Sequence, residues 1–151
     1  MIKSEEARLD NLHIGKKVNF TLVISESMIE EFAKLSGDYN PHHIDDTFAK
    51  QTRFGKRICH GMLLASFFSR LTGMYLPGKG SLYLSQSLNF LSPAYVDDKI
   101  TIEGEIVKIS PSTGVVTLKT QITKDNNTQV ITGDAKILIV EGKKWQKKRI
   151  F

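Results

Sequence analysis

The sequence predicts an α+β fold in which one antiparallel sheet wraps around a buried central helix. Three observations carry this. The segment 62–76 is apolar on nearly every side, so it belongs inside a protein rather than on its surface. From residue 80 to residue 140 the hydrophobic period changes to two, in four runs separated by turn residues. A further period-two run stands at 17–24, ahead of the helix. One sheet closing around one apolar helix buries all of these faces together.

The elements follow in order. In the first strand Val18, Phe20 and Leu22 alternate against polar neighbours. A helix comes next, with Ser27 and Glu30 spaced as a capping box. Ile29, Phe32, Ala33 and Ser36 share one of its faces, and Gly37 stands where a helix stops. Residues 37–59 are polar and predict a long loop with one helical turn, and long loops in compact domains carry function. Pro77-Gly78 ends the apolar helix. Leu82, Leu84, Leu88 and Phe90 then alternate with Tyr83, Ser85, Ser87 and Asn89. Three more strands are predicted at 100–109, 114–123 and 129–140, joined through Ser110-Pro111-Ser112 and Asp125-Asn126-Asn127. This order is that of the hot-dog architecture. An open sheet edge pairs readily with another copy, so a homodimer is expected.

The chain of 151 residues predicts one domain over residues 1–142, followed by a basic tail at 143–151. The net charge of +5 resides in that tail. Taking its five basic residues from the total of 21 leaves as many bases as there are acids, 16 of each. The body is neutral and offers no nucleic-acid surface; the tail is read as a solvated run. No segment has the apolar length of a membrane span. MIKSEEARLD lacks the apolar stretch of a secretory signal. The single Cys59 cannot form an internal disulfide. A cytoplasmic protein is expected.

Chemistry is expected in the long loop. Asp38 follows the helix stop, and His43 lies five positions later. Pro41 pushes Asn40 out of helical geometry, so the chain must turn between them. A turn can bring a carboxylate and an imidazole to one reacting atom, where together they take a proton from water and hand one to carbon. Gly-Asp-Tyr-Asn-Pro is equally good turn chemistry with no function. His60-Gly61 opens the apolar helix, where free N–H groups and the positive dipole end are presented. Without a side chain, Gly61 lets an oxygen approach its N–H, which suits an oxyanion. It also suits close helix packing, with His60 as a plain cap. Ser69 on the same helix is placed to orient Asp38 from within the core, or to bond its own backbone.

The stretch Phe32-Ala33-Lys34-Leu35-Ser36-Gly37-Asp38-Tyr39-Asn40-Pro41-His42-His43, followed by Ala49, resembles the hydratase motif of the MaoC-like family. So do His60-Gly61-Met62-Leu63-Leu64-Ala65-Ser66 and Leu76-Pro77-Gly78-Lys79-Gly80-Ser81. The family includes (R)-specific enoyl-CoA hydratases and acyl-carrier dehydratases. The resemblance implies a homodimeric hot dog that adds water to a trans-2-enoyl-CoA to give the (R)-3-hydroxyacyl-CoA. Asp38 is then the base that activates water. His43 shares that water and assists proton delivery to the α-carbon, and the Gly61 N–H polarises the thioester carbonyl. Asn40 and Ser69 match residues that support the site. Thr72, one turn beyond Ser69, is a candidate for setting acyl depth. Arg53, Lys56 and Arg57 are candidates for the phosphates of CoA or of a carrier's phosphopantetheine, or else a solvated loop. One departure is His42, where the family usually has an aliphatic residue; it is read as an exposed position.

Other signals are set aside. Cys59 and His60 are neighbours in an extended segment and point to opposite faces. One Cys and three clustered His do not make a zinc pattern, and no Gly-rich nucleotide loop is present, so no metal and no cofactor is expected. Asn126-Asn127-Thr128 reads as a hairpin turn. The competing functions are a 3-hydroxyacyl-[acyl-carrier-protein] dehydratase using the same residues, a thioesterase that has no need of the Asp38–Asn40–His43 spacing, and a non-catalytic acyl-CoA binding module.

Overall fold

The computed structural model describes residues 7–140, so the basic tail lies outside the described residues. Strand β1 spans Lys17–Val23, and helix α1 spans Glu26–Ser36. Two short helices follow, α2 at Pro41–Ile44 and α3 at Asp46–Lys50. The central helix α4 runs Gly61–Arg70 and continues into a π turn at Leu71–Tyr75, where the Leu76 N–H reaches back 2.9 Å to the Leu71 carbonyl. Strands β2 (Ser81–Gln86), β3 (Asn89–Phe90), β4 (Lys99–Ser110), β5 (Val115–Lys124) and β6 (Gln129–Ile139) complete the fold.

The strands form one antiparallel sheet in the order β1-β4-β5-β6-β2, with β3 also on β6. This is the single hot-dog fold that the pattern predicts. The inward residues of the long strands, Ile100, Ile102, Leu118, Ile122, Ile131 and Ile137, are fully buried. Phe68, Leu64 and Leu71 of the central segment pack with Ile100, Ile102, Ile122 and Ile131, and Leu76 with Leu118 and Ile137. Apolar burial of this kind contributes about 1.5–3 kcal/mol for each large side chain.

Several local expectations are corrected. The N-cap of α1 is Ser25, not Ser27: the Ser25 hydroxyl accepts from the Met28 N–H at 3.2 Å, and Ser27 only bonds the Ser25 hydroxyl. Gly37 does stop the helix, with a left-handed φ of 77° that only glycine adopts without strain. Ser36 is exposed rather than on the buried face. The segment 37–59 holds two helices, each started by an Asx side chain. Asn40 Oδ1 accepts from the His42 N–H at 3.1 Å and Asp45 Oδ1 from the Phe48 N–H at 3.0 Å. The run 80–90 is two strands rather than one, because its ladder to β6 lapses at Ser87-Leu88, where Ser87 sits tightly on Gly133. A Cβ at Gly133 would lie 1.8 Å from the Ser87 carbonyl oxygen.

The central helix also has an open side. Met62, Ser66 and Ser69 form an exposed stripe along it. Leu82, Tyr83 and Leu84 on the neighbouring edge strand β2 are exposed as well.

Candidate active site

The loop after α1 is fixed by its own short side chains. Ser36 Oγ accepts from the Asp38 N–H at 3.2 Å, and Asp38 Oδ1 accepts from the Asn40 N–H at 3.1 Å. Asn40 sits at φ −57° and ψ 130°, outside helical geometry as Pro41 requires, and then caps α2. That helix lifts His43 back toward Asp38. The Asp38 side chain is 49% exposed and that of His43 14%.

His43 is held in one tautomer. Its Nδ1 lies 2.8 Å from the Ile58 carbonyl oxygen, which only accepts, so Nδ1 carries the proton. Nε2 faces Asp38 Oδ2 at 4.0 Å. That gap is too long for a hydrogen bond and leaves room for one water oxygen in contact with both groups.

A cleft of about 420 Å³ opens over this pair. Asp38, His43, His60 and Gly61 line it together with Phe54, Leu64 and Phe90. Gly61 is the first residue of α4, whose backbone bonding starts with the Leu64 N–H on the His60 carbonyl at 3.3 Å. Among the described residues nothing accepts from the Gly61 N–H, so it remains a donor at the positive end of the helix. A Cβ on Gly61 would come 2.7 Å from the Phe90 ring. A side chain there would push the Phe90 ring aside as well as crowd any oxygen approaching the N–H.

The remaining residues singled out from the sequence fare differently. Arg53 lines the cleft, is exposed, and lies 4.9 Å from the Phe54 ring centroid. Lys56 is exposed and stands 4.4 Å over the Tyr95 ring. Arg57 is not free for a phosphate. It pairs with Glu26 and with Asp46, the latter at 2.8 Å, and the Glu26 bond in particular holds its basicity above the ordinary range. Ser69 is exposed rather than in the core and makes no hydrogen bond to Asp38. Thr72 is buried, but its hydroxyl donates to the Ser69 carbonyl at 3.2 Å and it is not among the cleft residues. His42 is not simply exposed: its ring packs edge-on against Phe48 and Phe54, with centroids 5.0 and 5.8 Å away. Cys59 is buried, and burial, with the charge of Asp98 adding to it, pushes its thiol up to about 12, so it is an inert thiol at neutral pH.

Sequence reasoning missed the place of His60. It is 1% exposed, makes no capping bond to α4, and stacks on His43. Its only signal in the sequence is its position next to Gly61. The apolar walls Phe54 and Phe90 were likewise not singled out as cleft residues: Phe54 stands in a loop read as polar, and Phe90 in a strand.

The model of the MaoC like domain matches residues 10–129. An (R)-specific enoyl-CoA hydratase of Aeromonas caviae is 42% identical over 125 residues, covering 83% of this chain and 93% of the relative. The enzyme of the same name from Rhodospirillum rubrum is 37% identical over 130 residues, covering 86% and 90%. Among solved structures, an unliganded R-hydratase of Pseudomonas aeruginosa superposes with a TM-score of 0.85 at 34% identity, over 91% of this chain and 88% of that one. With a family model matching residues 10–129 and relatives this similar over most of their length, the chain belongs to the MaoC-like domain family.

Proposed function

We propose that the protein is an (R)-specific enoyl-CoA hydratase, a hydro-lyase that adds water to a trans-2-enoyl-CoA to give the (R)-3-hydroxyacyl-CoA. The observation that carries this is the His43 Nε2 to Asp38 Oδ2 gap of 4.0 Å, opening into the cleft beside the unpaired Gly61 N–H. A water in that gap gives one proton to the Asp38 carboxylate as its oxygen attacks C3. The His43 Nε2 lone pair accepts its second O–H and so orients it. Charge moves to the thioester oxygen, where the Gly61 N–H stabilises it. The proton taken from water returns to C2, so OH and H are both consumed and the dyad is restored.

In this reading Arg53 and Lys56 meet the phosphates of the substrate, and Asn40 supports the dyad by shaping the turn. Ser69 and Thr72 receive no role. A homodimer is supported by the apolar edge of β2 and the open stripe of α4, which a second copy would cover together. No described helix is long and apolar enough to cross a membrane. A cytoplasmic location is supported by the single Cys59, which is free and buried.

The test is hydration of crotonyl-CoA by the purified protein, followed by loss of the conjugated-enoyl absorbance. Asp38→Asn and His43→Ala should each lower kcat on the order of a hundredfold or more. Wild-type turnover no faster than that of both variants would sink the assignment.

A further inference from the structure

Two imidazoles lie face to face at the site. The rings of His43 and His60 have centroids 3.9 Å apart and planes 29° apart. His60 takes no part in the steps above, yet it is almost completely buried. Its Nε2 lies 3.0 Å from the Asp38 carbonyl oxygen, and a carbonyl can only accept, so Nε2 carries the proton. Its Nδ1 is buried with no partner. A proton there would be a buried donor without an acceptor, which is costly. The ring is thereby fixed in the Nε2–H tautomer. Phe32 flanks it at 5.1 Å between centroids and packs it from the α1 side.

At Asp38 the loop is otherwise tied only to close neighbours in the chain. The bonds to Ser36 and Asn40 span two positions each. Among the described residues, the His60 bond, across 22 positions, is the hydrogen bond that joins Asp38 to a distant part of the chain. His43 has a bond to Ile58 from its Nδ1, which leaves its ring free to swing about that axis unless a surface lies against its face. His60 is that surface.

We infer that His60 is a positioning residue that sets both members of the dyad at once. This rests on the hydratase reading. Its Nε2–H holds the Asp38 backbone, and its ring face holds the plane of His43. Because Gly61 follows it directly, the same residue fixes the dyad relative to the N–H that receives the thioester oxygen. The 4.0 Å gap between His43 and Asp38 is then a property of His60 as much as of the loop. Misplacement of such a pair by about 1 Å costs on the order of a hundredfold in rate.

Two variants separate the two contacts. His60→Phe keeps the stacked ring and removes the donor; His60→Gln keeps a donor and removes the ring. Each should lower kcat on crotonyl-CoA by about tenfold or more, with KM within about threefold, because positioning acts on the transition state rather than on binding. The His43 Nδ1–H proton, bonded to Ile58, gives a second reading by NMR. It should persist in the wild type and in His60→Phe and shift or broaden in His60→Gln. Variants that keep wild-type kcat overturn the proposal. So do variants whose loss lies in KM or in melting temperature alone with the His43 resonance unmoved, which is the outcome of a merely structural role. A wild-type protein without hydratase activity would sink the functional reading instead, and the NMR comparison would still decide whether His60 orders His43.

Discussion

His43 Nε2 and Asp38 Oδ2 stand 4.0 Å apart, beyond hydrogen-bond reach of each other. In the proposed reaction both act on one water held between them. Two groups that act on one water do not contribute independently. The double variant Asp38→Asn/His43→Ala should therefore be slower than the worse single variant by less than about tenfold, rather than by the product of the two losses. Steady-state kcat for the four proteins on crotonyl-CoA closes this cycle. Multiplying losses would mean that the residues serve separate steps.

Gly61 is held between two demands, packing under the Phe90 ring and access of an oxygen to its N–H. Gly61→Ala places a Cβ 2.7 Å from that ring, so Phe90 must move. We expect lowered melting temperature and a fall in kcat/KM of about tenfold or more. Adding Phe90→Ala removes the clash but leaves the Cβ in the path of the thioester oxygen. The pair should regain stability relative to Gly61→Ala and stay slow. Recovery of both together would reduce Gly61 to a packing residue.

What was legible in the sequence follows from the range of the interactions. The strands and the buried helix were readable because their periods are local, and Gly37 because a helix stop is a one-residue signal. Asp38, Asn40 and His43 were readable as a cluster because Pro41 forces a turn within six residues. His60 was not, because its partners lie 17 and 22 positions away and an imidazole before a helix has several ordinary fates. Ser25 lost to Ser27 for a simpler reason: both hydroxyls fit a cap, and only the backbone geometry decides. Arg57 was misread because a sequence shows its charge but not Glu26 and Asp46 closing on it from helices α1 and α3.

That capping assignment is directly measurable. Ser25 Oγ satisfies the Met28 N–H, a donor that would otherwise lack a partner in the first turn. Ser25→Ala should cost about 1 kcal/mol in unfolding free energy. Ser27→Ala removes only an exposed hydroxyl pair with Ser25 and should change stability by less than about 0.5 kcal/mol. Urea melts of the two variants give the comparison, and a larger loss at Ser27 would restore the capping box.

The basic loop divides into a structural cation, Arg57, and two proposed to bind phosphate, Arg53 and Lys56. Arg57 joins α1 to α3 through Glu26 and Asp46, whose side chains are 52% and 65% exposed. Arg57→Ala should cost about 1–2 kcal/mol, less than a fully buried pair because water screens both carboxylates. It should leave KM for crotonyl-CoA nearly unchanged. Arg53→Ala should do the reverse, raising KM severalfold with stability intact, and the rise should vanish for a short crotonyl thioester that lacks the CoA phosphates. A common effect of both variants on KM would return Arg57 to the phosphate site.

Cys59 lies beside the site without serving it. Burial, with the charge of Asp98 adding to it, pushes its thiol up to about 12, whereas an unfolded chain ionises near about 8.5. The folded pKa is the higher one. The stability linked to this group is therefore fully present below the unfolded value and is lost as pH rises through the folded value. Two outcomes follow. At pH 8 iodoacetamide should label the native protein far more slowly than the same protein in guanidinium, as read by intact mass. Between about pH 9 and pH 12 the wild type should lose unfolding free energy relative to Cys59→Ala, which has no thiol to ionise. Rapid native labelling would place a reactive thiolate next to His60 and reopen a chemical role for this residue.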